Sequence, residues 1–394
     1  MAQREVVIVS GVRTPIGDFG GSLKDFTPSD LAGKVIAEAV KRAGIEPESV
    51  DHVIIGNVIH TERHDMYVSR AGALKAGLSI NTPCMTLNRL CGSGLQSIVN
   101  ATQLILLGDA DTAVAGGAES MSRSPYWLPT ARFGQRMGDG VMVDTMIGVL
   151  TCPMNDYHMG VTAENLAERD GISREDQDAL AVEGHRRAAK AWEEKRFDSQ
   201  ILPIEIKTRK GTVVFSHDEH VRGDTDMESL AKLRPAFKKD GTVTPGNASG
   251  INDAAAAVVL MEKSVAEAKG IKPLGKVVAY TLVGVAPEIM GIGPVPAVQK
   301  LMEKTGLTID DIDVWEVNEA FAAQALAVAR GLGLPPEKVN PNGSGISLGH
   351  PVSATGTILA IKCLYELERI GGRYAVATMC IGGGQGIAVL FERT

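Results

Sequence analysis

The order in which short apolar runs alternate with helical repeats constrains this chain more than any single motif. EVVIVS (5–10), HVIIGNVI (52–59), CMTLN (84–88) and TAVAGGAES (112–120) read as strands. Most are nearly continuous in apolar residues, as strands covered on both faces should be. Between them lie segments with helical spacing: 29–44, with Ser29 as N-cap and Gly44 at the end, 67–77, and a long helix ending at Leu107. AAAAVVLME (254–262) is again a strand. From about residue 272 the plan repeats, with strands at 275–286, 313–320, 339–345, 374–384 and 386–393 and helices at 294–306, 321–333 and 353–369. Alternation of this kind implies right-handed βαβ units, a mainly parallel sheet and an α/β fold. Its repetition implies an internal duplication.

Residues 122–251 break the pattern. MSRSPYWLPTARFGQRMGDG has no clear period, and SREDQDALAVEGHRRAAKAWEEK (173–195) is a charged helix with Ser173 and Asp176 placed as a capping box. Residues 200–250 are polar and turn-rich. The block reads as an insertion over the core, giving three units: 1–121 with 252–271, the insertion 122–251, and 272–394.

Bulk properties exclude several classes. Forty Lys plus Arg against 47 Asp plus Glu give a net charge of −7, with no basic surplus for nucleic acid. No apolar run reads as long enough to span a bilayer, and the N-terminal residues enter a strand pattern without a signal-peptide core. Five cysteines without a CxxC pair argue for reduced thiols and a cytoplasmic setting. No phosphate loop and no dinucleotide fingerprint is present. HDEH (217–220) lacks the ligands and spacing of a metal site and reads as a solvated turn.

The chemistry centres on NRLCGSGLQS (88–97). Cys91 falls where a strand becomes a helix, among free N–H groups at the positive end of the helix dipole. That placement lowers a thiol pKa and suits a nucleophile; a buried, inert cysteine fits the position equally well. The second copy places GSGISLGHP (343–351), with His350, at the equivalent turn, and CIGGGQG (380–386) ends the strand equivalent to AGGAES (115–120). Ligands of open α/β sheets bind beyond the carboxyl ends of the strands. Pairing of the two halves would therefore gather Cys91, His350 and Cys380. His350 is then a candidate base for Cys91. Cys380 is either a core cysteine or, beside three glycines, part of an oxyanion site. Asn318 is either a helix N-cap or a residue holding a water or a histidine in the pocket.

NRLCGSG (88–94), GNASGINDAA (246–255), NEAFAAQ (318–324), GHP (349–351) and CIGGGQG (380–386), in this order, resemble the thiolase family, and the likeness runs from SGVRTPIG (10–17) to the C-terminus. The resemblance implies a thiolase fold: duplicated βαβαβαββ halves in a layered α/β/α/β/α core, with a loop domain inserted in the first. It implies reversible cleavage of 3-ketoacyl-CoA by coenzyme A, or condensation of two acetyl-CoA, through an acyl-Cys91 intermediate. His350 would activate Cys91 and coenzyme A. Cys380 would be the acid/base at the α-carbon. Asn318 would hold an oxyanion-hole water with His350, and the N–H groups of Cys91 and Gly382 would form a second hole. The coenzyme A contacts carry over to His158, Met159, Arg222, Ser229, Ser249, Ala320 and Phe321.

Coenzyme A is a substrate, so no cofactor and no metal are expected, and the partners implied are acyl-CoA, acetyl-CoA and a homotetramer built as a dimer of dimers, with no nucleic acid or membrane. NPNGSGIS (340–347), Ser353 and Pro245 depart from the common biosynthetic pattern. They bear on acyl-chain length, for which a short-chain preference is the expectation and a longer-chain degradative thiolase the alternative. A ketoacyl synthase would pair its cysteine with two histidines, or with histidine and asparagine, and lack the Cys380 motif. A non-catalytic acyl-CoA-binding protein should have lost Cys91 or His350.

Overall fold

The computed structural model describes residues 4–394. Ten strands form one sheet: β1 (Val6–Arg13), β2 (Gly17–Asp18), β3 (His52–Gly56), β4 (Cys84–Leu87), β5 (Thr112–Ser120), β6 (Asn252–Glu262), β7 (Gly275–Gly284), β8 (Val314–Val317), β9 (Tyr374–Ile381) and β10 (Gln385–Glu392). The order is β8-β9-β10-β7-β1-β6-β5-β3-β4, with β2 on the end of β6. The first half reads β4-β3-β5-β6-β1 across the sheet. The second reads β8-β9-β10-β7, preceded by a single parallel bridge between Trp315 and Val339. The two halves are thus the same arrangement, joined where Val7 and Ile8 pair antiparallel with Lys276 and Gly275.

The structure departs from the sequence reading in the direction of the strands and in the extent of two of them. The sheet is mixed: β3–β4, β3–β5 and β8–β9 are parallel, whereas β5–β6, β6–β1, β9–β10, β10–β7 and β1–β7 are antiparallel. The closing strands β6 and β10 run back beside β5 and β9, and apolar continuity does not encode direction. The strand expected at 339–345 is reduced to the bridge at Val339, because the chain turns at Asn340 (φ 47°) and Gly343 (φ 78°). Likewise β3 stops at Gly56, since the N–H groups of Val58 and Ile59 donate to the Glu119 carboxylate instead of extending the ladder.

The principal helices are α1 (Pro28–Ala43), α2 (Val68–Lys75), α3 (Ser93–Leu107), α4 (Met159–Asp170), α5 (Arg174–Glu193), α6 (Pro294–Thr305), α7 (Ala322–Leu332), α8 (Gly345–Leu348) and α9 (Val352–Ile370). The N-cap of α1 is Thr27, not Ser29; Thr27 forms a reciprocal capping box with Asp30, and Pro28 takes the first helical position. Along β6, Ala254, Ala256, Val258 and Leu260 enter one core with α3 and α9, while Ala255, Ala257, Val259 and Met261 enter another with α1. Period-2 alternation with both faces apolar puts β6 in the middle of a layered stack. The outer layer of the second half is α6 and α7, packed around Trp315, Val376 and Leu390.

The central layer is α3 against α9. A Cβ on Gly94 would lie 2.6 Å from the Thr357 nitrogen, and one on Gly356 would strike the Leu95 nitrogen. Glycines let the two helix backbones touch, which draws the N-terminal ends of both helices into one place. The uncharged run Leu90–Leu107 meets the length and composition of a bilayer span, contrary to the sequence expectation; 61% of it is buried as this joint.

Candidate active site

Cys91 lies in the turn between β4 and α3. Leu90 sits at φ 46°, a left-handed conformation that costs a branched residue about 1–2 kcal/mol. It is held by the Asn88 side chain, which accepts the Leu90 N–H at 2.8 Å, and by Ser93, whose hydroxyl accepts the Arg89 N–H and donates to the Leu90 carbonyl. A Cβ on Gly92 would come within 2.5 Å of the Ile381 side chain, so glycine is needed where the second half closes on the Cys91 turn. Cys91 is half-buried and packs with Ile381, Met121 and Val352.

His350 enters from the second half. Its backbone N–H donates to Asn252 Oδ1 at 2.9 Å. Its Nδ1 lies 2.7 Å from the Thr355 hydroxyl, and that hydroxyl gives its one proton to the Pro351 carbonyl at 2.9 Å. Nδ1 must therefore carry the imidazole proton, leaving Nε2 with its lone pair. Nε2 faces the Asn318 amide at 3.4 Å. Burial lowers the His350 pKa to about 4, so the ring is neutral and able to accept a proton.

Asn318 is fully buried, and α7 is capped by Phe321, so the N-cap reading fails; its amide faces the His350 ring instead. Asn318 Oδ1 has no hydrogen-bond partner among the described residues.

Cys380, at the end of β9, is fully buried among Met159, Ala320 and Phe321. Burial, and then the neighbouring Cys91, push its thiol well above the ordinary range. Burial also pushes the Cys91 thiol up to about 11, opposed by hydrogen bonds from the Gly382 N–H and from its own N–H and reinforced by Glu119. The expected lowering by the helix dipole does not prevail, because desolvation of a thiolate outweighs a few partial charges. The resting pair is thus neutral thiol and neutral imidazole.

A cleft of about 520 Å³ opens onto His350. His158, Arg222, Ser249 and Phe321 line it with Phe237, Leu150, Met121 and Val352. Four of the seven predicted coenzyme A contacts are therefore in its wall. His158 caps α4 by accepting the Gly160 N–H on Nδ1 at 3.0 Å, and its ring stacks on Phe237 at 4.5 Å. Met159 and Ala320 lie one layer behind, packed with Cys380. Ser229 is not in the lining: it is exposed, and its hydroxyl closes a capping box with Asp226. Sequence reasoning missed Phe237, Asp18 and His220 in the lining; only their positions after the fold closes distinguish them.

HDEH is not a solvated turn. Asp218 forms a fully buried ion pair with Arg13 at 2.7 Å, Glu219 accepts the N–H groups of Asp18 and Ser22, and His220 pairs with Asp18 at 2.6 Å. The segment pins the inserted block to the loop after β1.

Residues 6–264 match the family description "Thiolase, N-terminal domain" and residues 271–393 "Thiolase, C-terminal domain". A beta-ketothiolase, BktB, of Cupriavidus necator is 59% identical, with 99% of each chain covered. The crystal structure of the Bacillus anthracis acetyl-CoA acetyltransferase superposes with a TM-score of 0.98 at 49% identity, covering 100% of both chains. Human mitochondrial 3-ketoacyl-CoA thiolase in complex with CoA superposes at 0.96, with 44% identity over 100% of this chain and 98% of that one.

Proposed function

The chain belongs to the thiolase family, and we propose that it is a short-chain β-ketothiolase and acetyl-CoA acetyltransferase. It cleaves 3-ketoacyl-CoA with coenzyme A and runs the condensation of two acetyl-CoA, or of acetyl-CoA and propionyl-CoA, in reverse. The 59% identity to a beta-ketothiolase, against 44–46% to the mitochondrial 3-ketoacyl-CoA thiolases, favours short chains over the longer-chain alternative.

The observation that carries the mechanism is the setting of His350 in the wall of the cleft: Nδ1 lies 2.7 Å from a Thr355 hydroxyl that donates to the Pro351 carbonyl, an arrangement that leaves the lone pair on Nε2. In thiolysis the Cys91 sulfur attacks the ketone carbon while its proton passes to Nε2. The bond between the α- and β-carbons then breaks. The electron pair leaves as the enolate of acetyl-CoA and takes a proton from Cys380, whose buried thiol is a neutral acid. His350 then passes the proton it took from Cys91 to the Cys380 thiolate, which resets both groups. The acyl group stays on Cys91 until the thiol of coenzyme A, deprotonated by the neutral His350, attacks it, and the departing Cys91 sulfur takes that proton back from Nε2. Asn318, the Nε2–H of charged His350 and a water stabilise the thioester oxyanion. The N–H groups of Cys91 and Gly382, which already bear on the Cys91 sulfur, stabilise the tetrahedral intermediate. Every step uses side chains and coenzyme A alone, without metal or further cofactor.

The inserted block 122–251 serves as the coenzyme-A-binding lid. Homotetramer formation is supported by the apolar excursion between Tyr126–Trp127 and Val143–Asp144, where Phe133 and Met137 are each 91% exposed. The cytoplasmic assignment rests on five free cysteines. Steady-state thiolysis of acetoacetyl-CoA, 3-ketopentanoyl-CoA and longer substrates tests the function. Parallel double-reciprocal lines and a kcat/KM that declines beyond about C6 are expected; intersecting lines, or efficiency still rising past C8, contradict it.

A further inference from the structure

The short strand β2 has no counterpart in the second half, and its position explains a chain of hydrogen bonds that none of the roles above uses. β2 pairs with the start of β6 so that Asp18 stands opposite Asn252. Asn252 is fully buried and uses both ends of its amide. Nδ2 donates to the Gly17 carbonyl at 3.2 Å and to Asp18 Oδ1 at 3.1 Å; Oδ1 accepts the His350 N–H at 2.9 Å. Asp18 Oδ1 also receives His220 Nδ1–H at 2.6 Å. Asp18, His220 and His350 all line the coenzyme A cleft. The neighbouring glycines are cut to this amide: a Cβ on Gly349 would overlap it at 2.6 Å, and one on Gly250 would sit 2.8 Å from Oδ1 and 2.6 Å from the His220 ring. On the far side, His185 stands 6.3 Å from His220 and accepts the Arg222 N–H at 3.2 Å.

We propose that Asn252 is a positioning residue for His350, and that Asp18 and His220 carry its setting out to the wall of the coenzyme A cleft. The inference rests on the thiolase reading of the site. The peptide before His350 is unusual: Gly349 lies at φ 106°, and the ring's closest contact is with Thr355 at 2.7 Å, the Asn318 amide standing farther off at 3.4 Å. Without a partner for its N–H, the backbone of His350 is free to shift and take Nε2 out of the position that its proposed base role needs, since general-base transfer fails at small displacements. Asn252 supplies that partner. Asp18 fixes which way the Asn252 amide points, because a carboxylate accepts only from Nδ2 and so turns Oδ1 towards His350. His220 keeps Asp18 in place and presents its ring to the ligand.

The test is a double-mutant cycle on the full-length enzyme with Asn252→Asp, Asp18→Asn and their combination, beside Asn252→Ala. Wild-type thiolysis of acetoacetyl-CoA is measured first; its absence would refute the thiolase reading, independently of the cycle. The second readout, alkylation of Cys91 by iodoacetamide, needs no thiolase turnover. Asn252→Ala is expected to lower kcat by about tenfold or more and slow alkylation by a similar factor, with KM for acetoacetyl-CoA changed by about twofold at most. Asn252→Asp sets two carboxylates face to face and is expected to be similarly impaired. The double variant restores one donor and one acceptor in exchanged positions and is expected to recover at least about a third of the wild-type kcat. His220→Phe should raise KM for coenzyme A more than it lowers kcat. The proposal is overturned by an Asn252→Ala enzyme with wild-type kcat and alkylation rate. It is equally overturned by a double variant no better than Asn252→Asp alone, which remains decisive if Asn252→Ala does not fold.

Discussion

The strand-to-helix turns that carry Cys91 and His350 occupy equivalent places in the duplicated halves, yet they are built by different means. The turn after β4 is compact: strand, left-handed Leu90, Cys91, then α3 at Ser93. Its stability is local, since Asn88 and Ser93 hold it within six residues. The echo in the second half has lost its strand to one bridge at Val339, gained the short helix α8, and reaches His350 only afterwards. His350 is then held by Asn252 from across the molecule and by Thr355 from the next helix. On the proposed mechanism Cys91, as nucleophile, needs only to be presented, whereas His350, as base, needs its orientation and its tautomer set. The second turn gave up strand pairing and took long-range hydrogen bonds instead.

If that contrast is right, Cys91→Ser removes the acyl carrier itself and is expected to cost on the order of 10³-fold or more in kcat. Cys380→Ser should leave acetyl transfer from acetyl-CoA to Cys91 partly intact, read by radiolabel retained on the protein. Equal loss of labelling in both variants would erase the division between the two thiols.

Replacing the base, as in His350→Asn, is expected to lower thiolysis by about 10²–10⁴-fold, with the protein still folded by circular dichroism. Thr355→Val tests the tautomer alone. It removes the acceptor for Nδ1–H, and kcat should fall by about tenfold while KM moves little. A pure KM effect would show that the ring needs no support from behind.

The charge state gives a fourth test. Burial holds the Cys91 thiol up at about 11 and the His350 ring down at about 4, so no thiolate–imidazolium pair exists at neutral pH. Alkylation of Cys91, assisted by neutral His350 near neutrality, should therefore climb further as pH rises towards 10 and free thiolate forms. A rate that stays level from neutrality to pH 10 would mean a preformed ion pair.

The smallest effect belongs to the joint between the halves. Gly94→Ala places a methyl 2.6 Å from the Thr357 nitrogen and should destabilise the fold by about 1–3 kcal/mol, seen as a lower urea midpoint. A neutral result would show that α3 and α9 can separate without harm.

Most of the element order was legible, because apolar periodicity is a local property: β5, α3 and α9 end within a residue or two of their sequence bounds. The Cys91 turn was legible for the same reason, since CGSG between a strand and a helix states its own geometry. The Asn318 motif was ambiguous, as an asparagine opening a helix and one facing a histidine look alike until His350 is placed beside it. HDEH misled, because its polar side chains are satisfied by Arg13, Asp18 and Ser22, about 200 residues away.

By itself, then, the sequence determined which segments are strands and helices, that the plan runs twice, and which side chains carry reactive atoms. Tertiary structure alone decided strand direction, the protonation of Cys91 and His350, and the tautomer of the imidazole. Propensity acts between neighbours along the chain, whereas desolvation and hydrogen-bond partnership depend on what distant segments bring within a few ångströms.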